Sequence, residues 1–138
     1  MVVLVEDNDE DADTVETAFA GSGITATLVR VASGDACIAM LKTLGQTPPA
    51  LIVMDLNLPG MDGRQALQLI KSDSVFKAIP VVISSTSANP QDRDFCYAAG
   101  ANAYHVKPMR FPDHLRAVEA LLHYWLVEVS LPVAAHTR

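Results

Sequence analysis

The chain has 138 residues, half of them hydrophobic, and a formal net charge of −6. That length predicts one domain around a single substantial core. The acidic balance argues against a nucleic-acid binder, which carries a basic face, and no run of about 18 uncharged apolar residues offers a membrane span.

The start, Met1-Val2-Val3-Leu4-Val5-Glu6-Asp7, has no basic lead and reaches acids too soon for a secretion signal. The run Val2-Val3-Leu4-Val5 predicts a first strand over 2–6, and a helix follows near 9–22, ended by Gly21 and Gly23. In it Ala12, Val15, Ala18 and Phe19 share a face. A second strand is expected over 26–31, then a helix over 34–45 that Ser33 caps. Leu51-Ile52-Val53-Met54 predicts a third strand over 50–55, followed by a turn and a helix over 63–72. The fourth pair is a strand over 80–85 and a helix over 91–99 that stops at Gly100. The fifth is a strand over 102–106 and a helix over 112–127, where Pro112 suits a first turn. Leu115, Val118, Leu122 and Trp125 follow a 3-4-3 spacing in that helix. The tail, 129–138, reads as partly extended. Alternating strands and helices predict an α/β, mostly parallel sheet with helices on both faces. The near-continuous apolar third and fourth strands fit a sheet covered on both sides. Cys37 and Cys96 show neither zinc spacing nor a Cys-x-x-Cys pair, and read as reduced core thiols of a cytoplasmic protein.

The chemistry gathers at the strand ends. The first strand delivers Glu6 and Asp7, the third Asp55, the fourth Ser85 and the fifth Lys107. In an open parallel sheet the carboxyl ends of the strands are where ligands bind. Asp7 and Asp55 suit Mg²⁺, a hard ion that takes oxygen ligands and keeps some waters. Asn57, on the turn after Asp55, stands at the right distance to add an oxygen, and Glu6 can hold the metal through water. Clustered carboxylates repel, so their pKa values should rise. The metal also neutralises an incoming phosphoryl group, which leaves Asp55 free to attack it. Lys107 and Ser85 would then meet phosphoryl oxygens as a mobile charge and a hydroxyl donor. Each residue has a plainer reading. Asp55 can be a turn former, the run Glu6–Asp11 a solvated helix start favoured by the macrodipole, Lys107 a surface lysine, and Ser85 a satisfied hydroxyl. Their joint occurrence at successive strand ends overrides those readings.

The same order resembles the receiver domain of bacterial two-component response regulators over nearly the full length. The resemblance rests on Val5-Glu6-Asp7-Asn8, Met54-Asp55-Leu56-Asn57-Leu58-Pro59-Gly60-Met61-Asp62-Gly63, Ile79-Pro80-Val81-Val82-Ile83-Ser84-Ser85, Ala99-Gly100-Ala101 and Val106-Lys107-Pro108. It implies a (βα)5, doubly wound, flavodoxin-like sheet of order 2-1-3-4-5 over 1–128. It implies Asp55 as phosphoacceptor from a sensor histidine kinase, Glu6 and Asp7 as the acidic pair, Asn57 as a carbonyl ligand and Mg²⁺ as cofactor. Ser85 falls at the switch hydroxyl, Tyr104 at the aromatic switch position, and Lys107 at the family lysine. It also implies a cis Lys107–Pro108 bond. The departures are small: many members carry Asp where Glu6 stands and Thr where Ser85 stands, and this chain starts on the first strand with almost no lead.

No DNA-reading or catalytic output segment follows the fifth helix, so the expected output is a phosphorylation-dependent contact with a downstream protein, not substrate turnover. The segment 123–132 stays aromatic and apolar where the core helix should be complete. Tyr124 and Trp125 suit an interface as well as core packing. With the Leu-Pro tail and the Ser-Ser-Thr-Ser loop at 84–87, this segment resembles single-domain regulators of bacterial phytochrome kinases. That resemblance implies a homodimer in which the tail, 129–138, serves as an arm. Other functions fit less well. A dehalogenase-type phosphatase needs a carboxylate where Asn57 stands, a flavin or other phosphate-bearing cofactor would be repelled by Glu6-Asp7-Asn8-Asp9, and no P-loop motif occurs. A pseudo-receiver that binds partners without phosphorylation remains the alternative.

Overall fold

The computed structural model describes residues 1–132. Five strands alternate with five α-helices: β1 (Val2–Val5), α1 (Asp9–Ala20), β2 (Leu28–Val31), α2 (Gly34–Leu44), β3 (Leu51–Met54), α3 (Gly63–Ser72), β4 (Val81–Ser85), α4 (Pro90–Ala98), β5 (Ala103–Val106) and α5 (Phe111–His123). The sheet is parallel throughout, in the order β2-β1-β3-β4-β5. That is the expected doubly wound arrangement, with each strand one or two residues shorter than its expected span.

Period-two alternation splits the core into two layers. Val3, Val5, Ile52, Met54, Val81 and Ile83 face α2, α3 and α4, where they meet Leu41, Leu67, Ile70 and both cysteines. Val2, Leu4, Leu51, Val53 and Val82 face α1 and α5, where they meet Val15, Ala18, Val118 and Leu122. Cys37 and Cys96 are free and buried, as expected.

Side chains cap most of the helix starts. Asn8 accepts from the Asp11 N–H at 3.0 Å, and Ser33 accepts from the Ala36 N–H at 3.0 Å. Asp62 and Gln65 form a reciprocal capping box at the start of α3. Asn89 caps α4 with Pro90 in its first turn.

Two expectations need correction. The last helix does not stay α-helical to residue 127: α5 ends at His123, and Tyr124–Glu128 form a π-turn. There the Val129 N–H donates to the Tyr124 carbonyl at 2.9 Å, and this five-residue step widens the turn that holds two adjacent aromatic side chains. The Lys107–Pro108 bond is trans, not cis; the two isomers of a prolyl amide are close in free energy, so the residue types permit either. Part of the expected dimer arm, residues 133–138, lies outside the described residues. Among the described residues no helix is long and apolar enough to cross a membrane.

Candidate functional site

Register brings the strand ends together. Val5 pairs with Met54, Met54 with Ile83, and Ser85 with Val106. The next residues, Glu6, Asp55 and Lys107, therefore leave the sheet at one edge. One carboxylate oxygen from each of Glu6, Asp7 and Asp55 lies within 4.8 Å of the others. Glu6 and Asp55 are buried, while Asp7 is exposed.

The Lys107 ammonium stands among acids. Nζ donates to Glu6 Oε1 at 2.6 Å, to Asp11 Oδ2 at 2.9 Å and to Asp55 Oδ2 at 3.2 Å. Burial disfavours its charge, but hydrogen bonds to Glu6 and Asp11 and the field of Asp55 outweigh that and hold its pKa above the ordinary range. Burial also pushes Glu6 up to about 7, against the pull of Lys107. Both directions hold together because several carboxylates share one ammonium.

The backbone fixes Asp55 from its other side. Asp55 Oδ1 accepts from the Leu56 N–H at 2.7 Å and, weakly, from the Asn57 N–H at 3.5 Å. Asn57 itself is exposed on the turn. Gly63 opens α3 against this turn, with its N–H donating to the Leu56 carbonyl at 2.8 Å. A Cβ on Gly63 would stand 2.1 Å from the Asp55 carbonyl oxygen, so no side chain fits there.

Ser85 is fully buried, and its Oγ accepts from the Ser87 N–H at 3.2 Å. Its carbonyl accepts from the Lys107 N–H at 2.7 Å, which ties β4 to the lysine. Tyr104 packs its ring on the α2–α4 side and donates its hydroxyl to the Ser87 carbonyl at 2.8 Å.

The expected site residues at the strand ends thus come together. Tyr124 and Trp125 are remote from them and differ from each other. Tyr124 is 54% exposed, whereas Trp125 packs on the α1–α5 side of the core. Their rings meet edge to face at 5.4 Å. Sequence reasoning missed Asp11, which it took only as a helix-start charge; its one signal was a position one helical turn beyond Asp7.

Hard oxygen donors gathered this closely fit a divalent cation such as Mg²⁺. Lys107 already partly balances the same negative charge.

Comparison with known proteins agrees with this geometry. Residues 2–119 match the response regulator receiver domain. The chain is 36% identical to the response regulator Rcp1 of Synechocystis, over 97% of this chain and 94% of that protein. It is 35% identical to the probable methanogenesis regulatory protein FilR2 of Methanothrix harundinacea, over 91% of this chain and 83% of that one. The crystal structure of Mn²⁺-bound Rcp1 superposes with a TM-score of 0.91 at 35% identity, covering 96% of this chain and 98% of that one. The phosphorylated cyanobacterial phytochrome response regulator RcpA gives 0.90 at 37% identity, covering 96% and 97%. The chain belongs to the response regulator receiver domain family.

Proposed function

We propose that this receiver takes a phosphoryl group from a sensor histidine kinase onto Asp55. The observation that carries the reading is the meeting of Glu6, Asp7, Asp55 and Lys107 at one sheet edge. In the transfer, an Asp55 carboxylate oxygen forms a bond to phosphorus as the donor's N–P bond breaks. The imidazole leaves and recovers a proton from solvent. Glu6, Asp7, Asp55 and the carbonyl of Asn57 are assigned to hold Mg²⁺. When bound, that ion neutralises charge on the phosphoryl oxygens. Lys107 pairs with one phosphoryl oxygen, and the Ser85 hydroxyl donates to another. Tyr104 reports the change to the surface formed by α4, β5 and α5. This is a population shift, so a downstream protein must bind the two states differently.

The receiver unit is assigned to 1–128 and to the cytoplasm, acting as a phosphoacceptor that self-dephosphorylates and not as a turnover enzyme. Likeness to a phytochrome response regulator supports a phytochrome-type kinase as donor. Exposed Tyr124 beside packed Trp125 supports a homodimer built at the C-terminal end.

Intact mass after incubation with acetyl phosphate and Mg²⁺ tests the reading, for wild type and Asp55→Asn. One phosphoryl adduct is expected, dependent on Mg²⁺ and absent from the variant. A folded wild-type protein that takes no phosphoryl group from acetyl phosphate or a phosphorylated kinase would instead mark a phosphorylation-independent binding module.

A further inference from the structure

Ser87 is the most connected side chain of the loop between β4 and α4. Its N–H donates to Ser85 Oγ, and its carbonyl accepts from the Tyr104 hydroxyl. Its own Oγ donates to Asp92 Oδ2 at 2.6 Å and accepts from the Asn89 N–H at 3.2 Å. Ser87 therefore holds both the buried hydroxyl and the aromatic ring.

Asp92 does not act alone. Its other oxygen, Oδ1, accepts from Arg64 Nη2 at 2.6 Å. Arg64 Nη1 also lies 3.5 Å from Asp62 Oδ2, the carboxylate that caps α3. The intervening Gly63 closes onto Leu56, next to Asp55. A continuous set of contacts thus runs from the Asp55 turn, through the starts of α3 and α4, to Ser87.

We propose that Arg64 and Asp92 are positioning residues that clamp Ser87, and through it set where the Ser85 hydroxyl and the Tyr104 ring stand. The proposal rests on the reading of Ser85 and Tyr104 given above. Exposed ion pairs contribute little, but here the side chains are only 29% and 22% exposed. One carboxylate also bridges a guanidinium and a hydroxyl, and charge-assisted bonds of that kind are the strong ones. Hydrogen bonds from Ser87 and Arg64 accordingly hold the Asp92 carboxyl below its ordinary pKa. Neither residue touches the acidic cluster, so their effect on it passes through the loop.

The test is fluorine NMR of the full chain labelled with 3-fluorotyrosine, recorded with no phosphoryl donor. Three tyrosines give three signals, and Tyr104→Phe and Tyr124→Phe assign two of them. Arg64→Met and Asp92→Ala should move or broaden the Tyr104 signal in the same sense and leave the Tyr124 signal in place. Arg64→Lys keeps the charge and should restore most of the wild-type signal. Ser87→Ala leaves the ion pair intact and should reproduce the shift, which guards against a variant that fails to fold. Uptake from acetyl phosphate should slow by about tenfold in Arg64→Met, with Mg²⁺ affinity unchanged. An unmoved Tyr104 signal in the folded variants, or wild-type uptake by Arg64→Met, would overturn the clamp. Failure of wild type to label at Asp55 would sink the functional reading instead, and the donor-free signal would still decide the clamp.

Discussion

Lys107 and Glu6 form the tightest pair of the acidic edge, with Nζ 2.6 Å from Oε1 and both side chains 4% exposed. Such a pair is costly to desolvate and costlier to break, because the survivor is a buried lone charge. Here the pair is also unbalanced. Asp11 and Asp55 lean on the same ammonium, so negative charge is in excess. That surplus is what a divalent cation would offset; burial above all, with a smaller push from Asp55, is why Glu6 holds its proton longer than an ordinary carboxyl.

The first prediction concerns pH. Glu6 is raised from 4.5 to about 7 by burial, so the folded state binds its proton more tightly than the unfolded chain. Its contribution to stability is fully present below about pH 4.5 and fades as pH rises through about 7. A displacement of that size corresponds to about 3 kcal/mol at most. His105 and His114, both lowered by burial, act in the opposite sense, so the effect is read against Glu6→Gln. Urea unfolding in EDTA should show the variant gaining on wild type between pH 5 and pH 8. Saturating Mg²⁺ should remove the gain. A pH-independent difference would mean that Glu6 is ionised throughout.

Asp11 is a second holder of Lys107, from α1, and it is 29% exposed. If the lysine must turn toward a phosphoryl oxygen, Asp11 competes for it. Asp11→Asn should cost about 1 kcal/mol of stability, as expected for one partly exposed charged hydrogen bond. It should also speed uptake from acetyl phosphate. Slower uptake would make Asp11 an anchor that keeps the ammonium in reach, not a competitor.

Gly63 is set by contact, not by backbone angle. An added methyl would press on the Asp55 carbonyl and come within 2.8 Å of Leu56 Cα. Gly63→Ala should therefore lower stability by about 1–3 kcal/mol, the range for overpacking, and weaken Mg²⁺ binding by displacing Asp55. Gly21→Ala is the comparison, because its methyl would meet nothing closer than 3.5 Å. Equal losses in the two variants would show that the turn yields without effect.

Much of the site was legible because each apolar run stops at a charged or hydroxyl residue. The period of two then fixes sides. Glu6, Asp55 and Lys107 continue the alternation toward α1 and α5, while Tyr104 packs toward α2–α4. Asp11 was not legible, because an unbroken acidic run does not say which acid turns inward until Lys107 has a place in space. Arg64 and Asp92 are 28 residues apart, and each reads alone as a solvated helix charge. The 3-4-3 spacing correctly put Trp125 with Leu122 and Val118. It did not show the π-turn, since side-chain pattern does not distinguish a four-residue backbone step from a five-residue one.

Tyr124 and Trp125 separate association from packing. Trp125 lies on the α1–α5 layer beside Leu126, whereas Tyr124 presents more than half of its surface to solvent. Truncating a half-buried tryptophan removes core contacts, so Trp125→Ala should lower stability by roughly 2 kcal/mol, below the loss for a fully buried one. Tyr124→Ala removes mainly exposed surface and should leave the urea midpoint nearly unchanged. If the C-terminal end is a dimer interface, Tyr124→Ala should weaken dimerisation in sedimentation equilibrium, because exposed aromatic anchors carry much of such interfaces. The full chain with residues 129–138 intact is the proper subject, and it should be measured with and without acetyl phosphate. A Tyr124→Ala protein that dimerises as wild type does in both conditions would move the interface elsewhere and leave this aromatic pair a packing feature alone.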